Sequence, residues 1–336
     1  MLNPTDAFKY RDGVWPNLLA VAYVTFGHGL AIAWLASAAW LARLAGVLLA
    51  AHTLIVATYL VHECIHESIF REQRWNARLG AALAWLGDGA LAGYERLRRK
   101  HLHHHFDRVD PVAFDYRGFL AAHPSARRAV VALEWLHVPA VELLLRLVPV
   151  VRVRTRPEFA AERWRVLAVV TSRALFALTI ALLAPPALPL YALAYLLFVV
   201  GVRFADAFHH TFDLVLVNDY GLDYGPPPGK DRTYEHVNTY SNLISRRWPT
   251  LNLLVINFAY HNAHHAKPGV PWHRLPALDA RLFAGDARQV VPMRRLLADF
   301  HAFRVARLAA EQAIVPAANG ALPRFVGAVA VSLLTV

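Results

Sequence analysis

The sequence predicts an all-α integral membrane protein, with about four transmembrane helices in two hairpins and a cytoplasmic helical cap that carries clustered histidines. Three observations predict it. Hydrophobic residues make up 57% of the 336-residue chain and mean hydropathy is +0.32, above the ~45–50% apolar content usual for soluble domains. The excess is gathered into long runs and not spread as a larger core. Eleven of the 18 histidines fall in HECIH at 62–66, HLHHH at 101–105, HNAHH at 261–265 and the pair His209–His210.

The first apolar run, 15–40, and the second, 44–61, each approach the ~20 residues a span needs, and a tight turn is expected near Leu41-Ala42-Arg43. His28 and His52 lie inside these runs and are read as buried histidines bonded to a neighbouring helix. Asn76 to Tyr94 is apolar but short and glycine-rich, as for a re-entrant or interfacial element. Ala126 to Val151 has helical periodicity with Arg127, Arg128, Glu134, Glu142 and Arg146 spaced through it, which predicts an amphipathic helix at the membrane surface, with a buried soluble-side helix as the alternative. Two further spans are expected at 166–184 and 187–205, separated by Pro185-Pro186 and Pro189. Gly221 to Asn242, with Pro226-Pro227-Pro228-Gly229, reads as a flexible loop. Pro292 to Ile314 reads as a basic amphipathic helix, and Phe325 to Val336 is too short to span. With no internal repeat, 1–336 is read as one domain whose cap comprises 62–165 and 206–314.

The formal charge of +11 is distributed as flanks to hydrophobic runs, for example Arg96-Leu97-Arg98-Arg99-Lys100 and Arg152-Val153-Arg154-Thr155-Arg156. That is the pattern of cytoplasmic membrane loops and not of a nucleic-acid surface. By the same tendency both hairpin turns lie outside and every histidine cluster lies on the cytoplasmic face. Cys64 is the single cysteine, which excludes an intramolecular disulfide and a thiolate metal ribbon. The N-terminal MLNPTDAFKYRDGVW has no basic start, apolar run and cleavage site in sequence, so no secretory signal is expected.

Residues three and four apart share a helical face. His62 and His66 form an i, i+4 pair, and His101, His104 and His105 an i, i+3, i+4 set that His261, His264 and His265 repeat. Neutral imidazole is the commonest protein ligand for transition metals. One zinc ion takes four ligands, so eight such histidines imply two metal ions. His103 falls on the opposite face and is assigned an outer or surface role. HECIH alone fits the zinc-protease motif H-E-x-x-H, with Glu63 as general base, but that reading leaves HLHHH and HNAHH unexplained. A metal transporter or chaperone would instead want polar spans or a mobile histidine tract.

H-x3-H, H-x2-HH and H-x2-HH, placed after hydrophobic hairpins, resemble the histidine boxes of the membrane fatty acid desaturase superfamily, which also contains hydroxylases, alkane monooxygenases, carotenoid ketolases and a decarboxylase forming terminal alkenes. The resemblance covers roughly 45–310 and extends to Pro271-Trp272 and Leu275-Pro276 after the third box. It implies two non-haem irons held by His62, His66, His101, His104, His105, His261, His264 and His265. It also implies a ninth ligand at the end of the fourth span, for which His210 is preferred to His209. Family desaturases place an asparagine four residues before that histidine; Asp206 stands here. Asp107, Asp110 and Asp213 are candidate acceptors that would orient ligand imidazoles. The implied reaction is O2-dependent oxidation of a fatty acyl chain or free fatty acid, desaturation first, with hydroxylation or oxidative decarboxylation to a 1-alkene as the other outcomes. Arg96, Arg98 and Arg99 would pair with an acidic headgroup or hold the anionic membrane surface. No G-x-G-x-x-G fingerprint and no cysteine set for an iron–sulfur cluster is present. Electrons are therefore expected from a separate ferredoxin- or rubredoxin-like donor with its reductase. The implied location is a bacterial inner membrane.

Overall fold

The computed structural model describes residues 4–87, 89–216, 230–283, 289–310, 313–315, 324–331 and 333. It is mostly helical: α1 Val14–Leu35, α2 Trp40–Ile65, α3 Gln73–Leu86, α4 Tyr94–Asp107, α5 Tyr116–Ala122, α6 Pro124–Trp135 and α7 Ala140–Thr155. There follow α8 Arg163–Leu183, α9 Ala187–Asp206, α10 Arg232–Val237, α11 His261–Ala266, α12 Leu275–Phe283 and α13 Met293–Ala302. The strands among the described residues are short pairs: β1 (Asp110–Val112) parallel to β2 (Leu214–Leu216), and β3 (Ile314–Val315) antiparallel to β4 (Arg324–Phe325). The chain divides into two compact units, Met1–Glu95 with Arg146–Gly201, and Arg96–Leu145 with Val202–Val336.

In the first unit four helical stretches are long and apolar enough to cross a membrane: Arg11–Leu35, Trp40–Ile65, Pro157–Leu183, and Ala187–Asp206, whose last turns pass into the second unit. Their bounds correct the sequence expectation. The first turn falls at 36–39, not at Leu41-Ala42-Arg43, because Ser37 closes it: its Oγ accepts from Ala39 N at 3.1 Å and its carbonyl from Arg43 Nε at 2.6 Å. Alanines on both sides hide that turn from hydropathy. The third stretch begins at Pro157, not 166; Arg163 and Arg165 lie within it, and their charges place the hydropathy boundary after them although their apolar stems suit a span's end. Ala31, Leu35, Val47, Ala50, Ile180, Ala187 and Ala194 pack into one cluster. Small residues dominate it, as close helix approach in lipid requires. His28 bonds Thr53 Oγ1 (2.9 Å) and His52 bonds the Tyr23 hydroxyl (2.5 Å), the interhelical role expected of them.

The segment expected to be re-entrant or interfacial forms a helix, α3, followed by turns to Gly93, whose φ of +87° suits glycine. The carbonyls left open beyond α3 are met from α8. Arg173 reaches Trp85 O (2.7 Å) and Gly87 O, and Arg165 reaches Leu91 O (2.7 Å) and Ala90 O.

The single amphipathic helix expected at 126–151 is two, α6 and α7. Pro139 disfavours helical Val138, and His137 takes φ 60°. The helix expected at 292–314 ends at Ala302. The loop expected at 221–242 contains α10, capped by Asp231 Oδ1 accepting from Tyr234 N at 2.8 Å; its proline-rich part, 226–229, lies outside the described residues.

Candidate metal centre

In the second unit, three backbone devices converge on the histidines. Beyond the end of α4, Asp110 N donates to Asp213 O at 3.0 Å and opens the β1–β2 ladder, pinning HLHHH beside the chain that follows His210. His210 itself forms a bridge with Thr239, and Tyr240 N donates to His209 O at 2.8 Å. The chain enters α11 through Ile256 (φ 39°) and Asn257 (φ 58°), a left-handed pair uncommon for a β-branched residue. Asn252 closes that turn: its Oδ1 accepts from Ile244 N at 2.8 Å, and its backbone carbonyl accepts from Asn257 N at 2.9 Å.

Seven histidines of this unit fall into two adjoining groups. In one, the Nε2 of His105 lies 3.1 Å from Nε2 of both His101 and His264. In the other, one ring nitrogen each from His104, His210, His261 and His265 lies within 4.8 Å of the rest. There His210 Nε2 stands 3.1 Å from His104 Nε2 and 2.7 Å from His261 Nε2. The rings of His105 and His265 stack across the junction at 4.1 Å. The first unit holds the HECIH pair at the end of α2, where the His62 and His66 rings meet edge to face at 4.6 Å.

The outer ring nitrogens fix the tautomers. His104 Nδ1–H donates to Asp110 Oδ1 (3.0 Å) and Val109 O (3.1 Å). His265 Nδ1–H donates to Glu235 Oε1 (3.0 Å). The Thr239 hydroxyl gives its one proton to Glu235 O (2.7 Å), so it accepts from His210 Nδ1–H (3.3 Å). In all three rings Nε2 therefore carries a bare lone pair, and these lone pairs face one another with no proton between them. His265 Nε2 is buried with no hydrogen-bond partner. Lone pairs gathered this closely repel unless a cation sits among them, so the donor set fits a transition metal. Burial, reinforced by neighbouring histidine charges, pushes His210, His261 and His265 well below the ordinary 6.5. The rings are thereby held in the neutral form that binds metal.

His209, the alternative to His210, is buried with its ring stacked on His261 at 3.9 Å, and burial, with His104 nearby, lowers it to about 3. His103 points elsewhere, half-exposed, with Nδ1 donating to Asp107 Oδ2 at 2.6 Å. Of the acids proposed as acceptors for ligand rings, Asp110 bonds His104, whereas Asp107 bonds His103 and Asp213 pairs with Lys230 at 2.8 Å. Asp206 Oδ2 accepts from Leu333 N at 3.3 Å and belongs to neither group. It also faces Lys100, whose ammonium burial lowers to about 8 against the pull of Asp110 and Asp206.

Glu235 went unrecognised in the sequence. It is buried, bonds His265 through one oxygen, and through the other meets Arg108 Nε (3.2 Å) and Arg232 Nη1 (2.8 Å). Its carboxylate also lies within 4.8 Å of a ring nitrogen of His105. An acid 30 positions from its histidine, after a proline-rich stretch of sequence, gives no spacing signal.

No curated protein aligns significantly with the chain. The sequence profile described as fatty acid desaturase matches residues 38–297, a stretch that contains all three boxes, His210 and Glu235. With four helices able to span a membrane and histidines grouped as metal donors, the chain belongs to the fatty acid desaturase family.

Proposed function

We propose that this chain is a di-iron oxidase that uses O2 to desaturate a fatty acyl chain or free fatty acid. The observation that carries the reading is the pair of adjoining imidazole groups, in each of which ring nitrogens approach to within 3.1 Å, with bare nitrogens turned inward in the group of His104, His210 and His265. One iron is assigned to His104, His210, His261 and His265, the other to His101, His105 and His264. His62 and His66 are proposed as further iron ligands on the strength of their motif. When bound, the diferrous pair supplies reduction of O2 and removal of hydrogen from an unactivated alkyl carbon. The chain's own part is to hold the ligand rings neutral and oriented through Asp110, Thr239 and Glu235. It also keeps water from a site whose ligand rings are nearly all buried.

The spans are arranged as two hairpins with turns outside, the histidines on the cytoplasmic face of a bacterial inner membrane. A ferredoxin- or rubredoxin-like donor with its reductase delivers electrons there. The H-E-x-x-H protease reading is disfavoured by Glu63: its Oε2 accepts from Ser68 Oγ at 2.6 Å and its Oε1 lies 3.4 Å from His62 Nδ1, so the carboxylate is engaged within the protein.

The test is metal content per chain in protein purified gently from iron- and zinc-replete cells, then mass spectrometry of fatty acids incubated with the reduced protein and O2. About two irons per chain and loss of two hydrogens from the acyl chain are expected. A single zinc that ferrous iron cannot replace would overturn the di-iron reading. A hydroxy acid or a 1-alkene as product would keep the metal centre and overturn desaturation.

A further inference from the structure

We propose that the arginine-rich end of the span Pro157–Leu183 is a binding site for a phospholipid with an anionic headgroup, independent of the metal centre. A cavity of about 710 Å³ lies within the first unit, between the last turn of α7 and the first turns of α8. That volume is in the range of small-ligand pockets. Its wall is apolar along Val153, Val166 and Leu167, with Trp164 beside it and Arg154 and Arg163 at its rim. Trp164 is 80% exposed, and exposed tryptophan at the end of a span marks the interfacial layer between headgroups and acyl chains.

The charges select the ligand. Five arginines crowd this corner: Arg152, Arg154, Arg156, Arg163 and Arg165. Arg156 lies 3.7 Å from Glu158, Arg165 pairs with Glu162, and Arg152 is buried with its guanidinium over Phe159. The two that line the cavity have no acidic partner among the described residues. Arg163 donates through Nε to Val153 O at 2.9 Å, which fixes its stem and leaves its two terminal nitrogens for a ligand. Local acids thus neutralise Arg156 and Arg165, Arg152 is buried against Phe159, and the two arginines at the cavity are spared. Two uncompensated guanidinium groups at the mouth of an apolar slot, at the depth tryptophan prefers, match a phosphate-bearing headgroup above acyl chains.

The experiment is native mass spectrometry of the full chain in detergent, titrated with phosphatidylglycerol, with phosphatidylcholine of the same acyl chains, and with inorganic phosphate. Phosphatidylglycerol is expected to bind more tightly than phosphatidylcholine, with about fivefold for each arginine. Arg154→Gln should lower its affinity about fivefold and Arg154→Gln with Arg163→Gln about 25-fold, while Arg156→Gln leaves it within about twofold. Among the described residues Arg154 makes no hydrogen bond or ion pair, so its single substitution does not endanger folding. Equal binding of the two lipids, an Arg154→Gln protein that binds as wild type, or an Arg156→Gln loss matching the double variant would each overturn the proposal. Binding of inorganic phosphate as tight as that of phosphatidylglycerol would overturn it as a lipid site.

Discussion

Replacing Glu235 by glutamine tests the reading of the metal centre at the residue that sequence did not reveal. The change keeps the shape of the side chain and removes its charge. The glutamine carbonyl can still accept from His265 Nδ1–H, where Glu235 Oε1 stands at 3.0 Å. Its amide nitrogen must then face Arg108 Nε, 3.2 Å from Oε2, so donor meets donor. Arg108 is 16% exposed and Arg232 is 70% exposed in their side chains, so the two losses differ. The charge-assisted bond to Arg108 is worth about 1.5–3 kcal/mol, whereas the bond to Arg232 is screened and contributes about 0–1 kcal/mol. If the amide turns round to satisfy Arg108, it presents its donor to His265 and forces the other tautomer, which places a proton on the nitrogen meant for metal. Either way the ligand ring is weakened, and loss of such an orienting partner costs about 10–100-fold in metal affinity or activity. The assay is iron release to a chelator, followed optically, with thermal melting of the same sample. Glu235→Gln should release iron at least about tenfold faster, and Arg232→Gln should match wild type in both readouts. A Glu235→Gln protein that melts earlier yet keeps iron as wild type would reduce Glu235 to a structural acid and refute the argument.

Three further outcomes follow from the geometry. Arg203 Nη1 lies 2.7 Å from Glu134 and its Nε 3.2 Å from Glu142, all three nearly inaccessible; Arg203→Ala should cost about 3–5 kcal/mol, read as lost thermal stability in detergent, and an unchanged melt would contradict it. At Gly80 an added Cβ would stand 2.2 Å from the Tyr94 ring and 3.1 Å from Cys64 Cβ. Overpacking of about 1–3 kcal/mol then outweighs the ~1 kcal/mol that alanine gains over glycine in a helix, so Gly80→Ala should melt lower than wild type. In metal-free protein, His210, His261 and His265 sit well below 6.5 when folded and return to 6.5 on unfolding. The unfolded chain thus takes up more protons as pH drops through 6.5. Stability is full above that value and declines below it, and a melting temperature that stays flat from pH 7.5 to about 5.5 would contradict this.

The boxes were legible because histidines at i, i+3 and i+4 are rare on any other account, and the spans because lipid demands long apolar helices. What stayed hidden depended on single bonds. The Ser37 turn is framed by alanines and differs from helix only by its hydroxyl and a carbonyl that Arg43 reaches. Pro139 was visible, yet only its effect on Val138 with His137 at positive φ divides α6 from α7. Arg165 and Arg173 carry no motif of their own, and their contacts with carbonyls near α3 depend on helix packing that no local pattern encodes. Glu235 belongs to the same kind. Its significance comes from where His265 Nδ1 points, a fact of three dimensions.

The paired histidines hold information that shared-face reasoning blurs. On a helix, successive residues are turned by about 100°, so the two members of an HH pair cannot serve one ion equally. In HLHHH, His101 and His105 join one group while His104 joins the other; in HNAHH, His261 and His265 join the second group while His264 crosses to the first. Each of these two boxes therefore gives its i and i+4 rings to one group and its i+3 ring to the other, with the roles exchanged between boxes. This interlock holds the two groups at one spacing, since neither can shift without dragging a helix that also serves the other. It follows that His104→Ala and His105→Ala should strip different sites. Each should reduce the metal bound from about two ions per chain toward about one, and their electron paramagnetic resonance spectra in the ferric state should differ because different ligand sets remain. If either substitution emptied both sites while the protein still melted as a folded chain, or if both left identical spectra, the division of the histidines into two groups would be refuted.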